Sequence, residues 1–168
     1  MIEIIRAIWE GFCDLHKELY EKTKEEYEFL LSGEIDALNN HLKVKMSIIG
    51  KIKNLELKRK NVIEKVNGFI KRNGGDFENK KFEKEIKNTS DLVTYMRDLK
   101  IDDRIQGEIK NYNDRLIGLI GDIQSQNKKN RAFINKAMYN LKNIKKEVSG
   151  GNMISTYGPD AKEKNQTL

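Results

Sequence analysis

Helical periodicity runs through this chain almost without interruption. The one proline stands at position 159, and glycine, serine and asparagine gather around residues 73–80, 88–90 and 149–158. Chains so poor in breakers form long helices. In the first segment Ile5, Ile8, Phe12, Leu15, Leu19, Tyr27 and Leu30 recur mostly at helical spacing, and Trp9 and Leu31 widen the stripe. The pattern predicts an amphipathic helix over about residues 2–31 that stops at Ser32-Gly33, where a glycine can turn left-handed. Glu34-Ile35-Asp36 then opens a second helix over about 35–72, carrying Ile35, Leu38, Leu42, Met46, Ile49, Ile52, Leu55, Ile63, Val66 and Ile70 up to the breaker Asn73-Gly74-Gly75. So short a connection makes the two helices an antiparallel hairpin. Lys45, Glu56 and Arg59 fall near the expected seam of the second helix, which predicts loose packing there.

The pattern weakens between Asp76 and Lys100, where Phe77, Phe82 and Ile86 are scattered among charges. Asn88-Thr89-Ser90-Asp91 resembles the N-cap of a short helix over about 90–98, so the segment reads as a crossover with helical pieces. A third long helix is predicted over about 101–148, through Ile105, Ile109, Tyr112, Leu116, Leu119, Ile120 and Ile123, with Gly118 and Gly121 marking a close helix–helix approach. The expected fold is all-α: an elongated antiparallel three-helix bundle or coiled coil with a short helical crossover. Residues 1–148 form a single domain on this reading, and residues 149–168 a flexible tail with too few apolar residues for a core.

The net charge of +6 conceals an asymmetry, for residues 1–40 hold ten acids and four bases while residues 41–72 hold ten bases and two acids. Opposite charge on successive helices favours their pairing, although each exposed ion pair contributes only about 0–1 kcal/mol. The sole cysteine, Cys13, excludes an internal disulfide, and no secretory signal pattern opens the chain. The expected compartment is the cytoplasm. No apolar run approaches the roughly 18 residues of a membrane span, so no membrane insertion is expected.

Catalysis finds little support, with two histidines, His16 and His41, and no nucleophile motif. Cys13 and His16 share a helix face and His41 could approach by hairpin packing, but a packed thiol and a half-exposed imidazole explain them more simply than a metal. No glycine-rich phosphate loop occurs, and no cofactor is expected. Lys128, Lys129, Arg131, Lys136, Lys142, Lys145 and Lys146 could sit on phosphates. Their scatter around the helix, without aromatic stacking positions, reads better as a solvated face than as a nucleic-acid site. Ile134, Ala137, Met138, Leu141 and Ile144 form an apolar face too narrow for a membrane surface and better sized for another helix.

Two stretches bring a family into view: LLSGEIDALNNHLKVKMSIIGKIKNLELKR, from Leu30 to Arg59, and QSQNKKNRAFINKAMYNLKNI from Gln124, followed after a gap by STYGPD. They resemble the hairpin, the Asn-bearing helix and the tail element of the FlgN family of flagellar type III export chaperones. Ala161 departs from that pattern, standing where the tail's second glycine is usual. The resemblance implies a non-catalytic cytoplasmic chaperone for the C-terminal helical regions of hook-filament junction (hook-associated) proteins. It would block their premature assembly and deliver them to the export gate, with the export ATPase as a further partner.

On this resemblance Phe133, Ile134, Ala137, Met138, Leu141 and Ile144 face the client, Gln126, Asn127 and Asn130 hydrogen-bond at the margin, and Tyr157 docks at the export gate. Phe133 and Ile134 fit the bundle core equally well, and an exposed row would also permit a weak homodimer. A basic helical bundle that binds nucleic acid and a structural coiled-coil adaptor remain the competing readings.

Overall fold

The computed structural model describes residues 2–72, 76–77, 80–81 and 85–150. The breaker Asn73-Gly74-Gly75, Phe82 and the tail from Gly151, Tyr157 included, lie outside the described residues. Four helices carry the fold: α1 (Ile2–Ser32), α2 (Ile35–Arg72), α3 (Thr89–Asp98) and α4 (Asp103–Gly150). Each of the four has an acid in its first turn, Glu3, Asp36, Asp91 and Asp103, where the positive end of the helix dipole favours it. Between α2 and α3, β1 (Asp76–Phe77) pairs antiparallel with β2 (Lys80–Lys81), Asp76 opposite Lys81. Sequence reading expected a crossover with a short helix over about 90–98, which α3 supplies; the two-residue ladder before it was not expected. The chain divides into two units, Met1–Lys128 and Lys129–Leu168.

In the first unit α1 and α2 form the antiparallel hairpin. Gly33 stops α1 with φ 73°, and its N–H donates to the Phe29 carbonyl at 3.1 Å. Glycine adopts this left-handed backbone without the clash that a Cβ would bring. Contacts climb in step from α1 to α4, Arg6 pairing with Glu108 at 2.9 Å and Cys13 donating its thiol proton to the Tyr112 carbonyl at 3.2 Å. This part of α4 therefore runs parallel to α1. The core gathers Ile5, Ile8, Trp9 and Phe12 of α1, Val66 and Ile70 of α2, Ile86, Leu92 and Met96 around α3, and Ile109 of α4. Burial of each such side chain contributes about 1.5–3 kcal/mol.

α3 begins as the sequence signals: the Asn88 carboxamide oxygen accepts the Asp91 N–H at 2.8 Å, while the Asp91 carboxylate accepts the Lys87 N–H at 3.1 Å. Its end carries no glycine. Lys100, with φ 54°, takes the left-handed position, and two bonds close the turn, Lys100 N–H to Arg97 C=O and Ile101 N–H to Met96 C=O. That is the Schellman pattern, in which the last carbonyls of a helix are satisfied from beyond it. Asp102 then caps α4 by accepting the Arg104 N–H at 2.9 Å.

Two sequence expectations need correcting. Gly118 and Gly121 are exposed, and a Cβ built on either would meet nothing within 4 Å. The close approach lies at Gly11, where a Cβ would stand 3.1 Å from Leu55 Cδ2. The seam of α2 is also displaced near the hairpin: His41, Lys45 and Ile48 are buried, while Ile35, Leu42, Met46 and Ile49 are exposed. The inward polar groups are satisfied. His41 Nε2 bonds the Lys22 carbonyl at 2.6 Å with its ring 5.1 Å from Phe29, and the Lys45 ammonium donates to the Glu26 carboxylate. Glu56 and Arg59 pair with each other along α2 through two bonds, at 2.7 and 2.8 Å. At Lys45 charge at the seam thus marks specific pairing of α1 with α2 rather than slack, while Glu56 and Arg59 satisfy each other within α2.

Candidate functional site

From Asp122 to Val148 the chain has neither glycine nor proline, and from Ile123 to Lys146 it has no acid. Nothing in that run breaks a helix, so α4 continues unbroken through it. Exposure changes along its length. Gln126 and Asn127, in the first unit, are half-buried. In the second unit Asn130 is only 2% exposed, and Phe133, Ile134 and Ala137 are half-buried. Beyond them Met138, Leu141 and Ile144 are 64%, 66% and 54% exposed, and Val148 is exposed too.

The row is apolar where it is exposed and polar where it is most buried, the reverse of a helix that ends in solvent. Soluble surfaces carry scattered apolar side chains without consequence, but a contiguous row at helical spacing is the form a helical partner takes. The surroundings are cationic: residues 128–147 hold seven bases and one acid, Glu147.

The groups weighed for chemistry have ordinary structural partners. Cys13 is fully buried, and burial pushes its thiol pKa up, against a smaller lowering by Arg115 and with Asp14 adding to the rise. Such a thiol is held protonated and is a poor nucleophile. His16 Nδ1 bonds the Phe12 carbonyl at 2.7 Å, one turn back on its own helix. Among the described residues no three His, Cys, Asp or Glu side chains are grouped to hold a metal ion, and no helix is long and apolar enough to cross a membrane.

Sequence reasoning missed the exposed apolar residues of α2. Ile35, Leu42, Met46 and Ile49 lie on the stripe that apolar spacing predicts, yet they are exposed because the polar partners on α1 turn a neighbouring face of α2 inward. The available signal was charge: the acid at Glu26 stands opposite the base at Lys45, and Glu25 opposite His41, which turns those positions inward. The first unit also has an apolar cavity of about 210 Å³ lined by residues of α1, α2 and α3, among them Ile5, Val66, Leu92 and Met96.

No curated protein and no solved structure matches the chain. The model of the FlgN family, described as FlgN protein, matches residues 1–165. With an all-α helical fold and a match over essentially its whole length, the chain belongs to the FlgN family.

Proposed function

We propose that this flagellar export chaperone works in the cytoplasm on the hook-filament junction proteins, covering their C-terminal helical regions until they reach the export gate. The observation that carries the reading is the exposed apolar row of α4, Met138, Leu141 and Ile144, continuing from the half-buried Phe133, Ile134 and Ala137. A subunit segment that assembles through coiled-coil packing exposes an apolar stripe while it waits. A helix bearing a matching stripe covers it without catalysis. Met138 suits a surface that accepts more than one client, since its unbranched thioether repacks readily. Gln126, Asn127 and Asn130 are assigned the polar margin of this contact, and Tyr157 in the tail the docking at the export gate, where the export ATPase is the further partner.

The test is direct. Mixed with the C-terminal helical segment of a junction protein at roughly tens of micromolar, the chain should elute as one complex of defined mass by size-exclusion with light scattering. The double substitution Leu141→Glu, Ile144→Glu should abolish that complex while leaving far-UV circular dichroism unchanged, because both side chains are exposed in the free protein. Separate peaks from the unaltered chain would overturn the proposal.

A further inference from the structure

The apolar row, half-buried at its start and exposed beyond, has a strict repeat. Ile134, Ala137, Leu141, Ile144 and Val148 alternate three- and four-residue steps, the a and d positions of a heptad, and Asn130 extends the same line backward. A heptad seam selects a helix as its occupant, because only another helix supplies knobs at matching intervals. The charge around the seam selects which helix. A helix is about 10–12 Å across, close to the Debye length of roughly 10 Å at 0.1 M salt, so bases on every side of α4 contribute to the potential along its apolar line.

A second copy of this chain would bring the same basic surface against itself. In an antiparallel pair of these segments Lys145 would meet the same charge type at its own or the Arg131 position, and within residues 128–147 Glu147 is the single acid to offset seven bases. The exposed apolar residues of α2 repeat the chemistry independently. Leu42, Met46 and Ile49 lie in residues 37–55, which contain the exposed Lys43, Lys51 and Lys53 and no acid, Lys45 being turned inward to Glu26.

We infer that the Ile134–Val148 seam takes an amphipathic helix of a partner protein whose apolar stripe is bordered by glutamate and aspartate. This rests on the reading of the row as the client face, and it adds the chemistry by which a client is recognised. Acidic borders would speed encounter and set register, while the apolar line holds the complex.

Two fluorescein-labelled three-heptad peptides with the same leucine seam, one with glutamate and one with lysine at the bordering positions, test it by anisotropy on the full chain. The glutamate peptide should bind about tenfold tighter or better at low salt, with the ratio shrinking as salt rises. The charge reversal Lys142→Glu, Lys145→Glu, Lys146→Glu should bring the ratio to about one or below. Equal affinities, a ratio indifferent to salt, tighter binding to phosphatidylserine vesicles or duplex DNA than to the glutamate peptide, or a dimer dissolved by Leu141→Glu would each overturn the inference. The peptide exchange needs no variant, so it decides the matter even if the charge reversal fails to fold. A junction-protein segment bound without regard to its bordering charge would sink this inference and spare the client reading. The glutamate peptide bound while junction segments are ignored would do the reverse.

Discussion

Asn67 shows how much one side chain can settle in a small core. Its carboxamide donates to the Ile86 carbonyl at 3.1 Å and accepts the Ile86 N–H at 3.0 Å, meeting both backbone groups of a buried residue that belongs to no helix or strand. Asn67→Ala should lower stability by about 2–3 kcal/mol, because two buried backbone groups lose their partners at once. A shift of the urea midpoint at constant m-value would record it, and a loss below about 0.5 kcal/mol would mean that water replaces the carboxamide. Lys45 is the ionic counterpart. Its ammonium is nearly enclosed beside Glu26, so the pair ties α2 to one register against α1 more than it adds net stability.

At the scale of elements, α4 carries a correctable weakness. Gly118 and Gly121 lie inside the helix, exposed, with nothing near the position a Cβ would take. Each glycine costs about 0.5–1 kcal/mol relative to alanine in a helix. Gly118→Ala and Gly121→Ala should therefore each stabilise the chain by up to about 1 kcal/mol, seen as a higher urea midpoint. Destabilisation by either would show that the open space is used. The long helices were legible in sequence because apolar spacing and breakers agree at Gly33 and Asn88, where the structure shows a left-handed glycine and a capping carboxamide. The end of α3 was not, since Lys100 takes a conformation that its residue type does not advertise. Nor was the inward face of α2 near the hairpin, because the apolar stripe through Leu42, Met46 and Ile49 competes in the sequence with the face that His41 and Lys45 turn toward their α1 partners. The candidate site was legible as a narrow apolar line on a basic helix. Its passage from buried Asn130 to exposed Leu141 was not, because exposure depends on where neighbouring elements lie and no local pattern encodes that.

For the molecule as a whole, the 48 residues of α4 form one helix from Asp103 to Gly150. An isolated helix as short as the exposed part is marginal in water, since the first turn is costly to nucleate, but here that turn is inherited from residues upstream. Amide hydrogen exchange should rise steadily from Asn130 to Val148 in the free protein and be slowed most over Leu141–Val148 when a client is bound. A flat profile would show that the row is ordered on its own. On the proposed client face, the same unbroken helix would govern how a client leaves. A partner laid along it would peel away turn by turn from the Val148 end, breaking a few contacts at each step, so that a machine pulling on the client would work against a succession of small barriers instead of one large one.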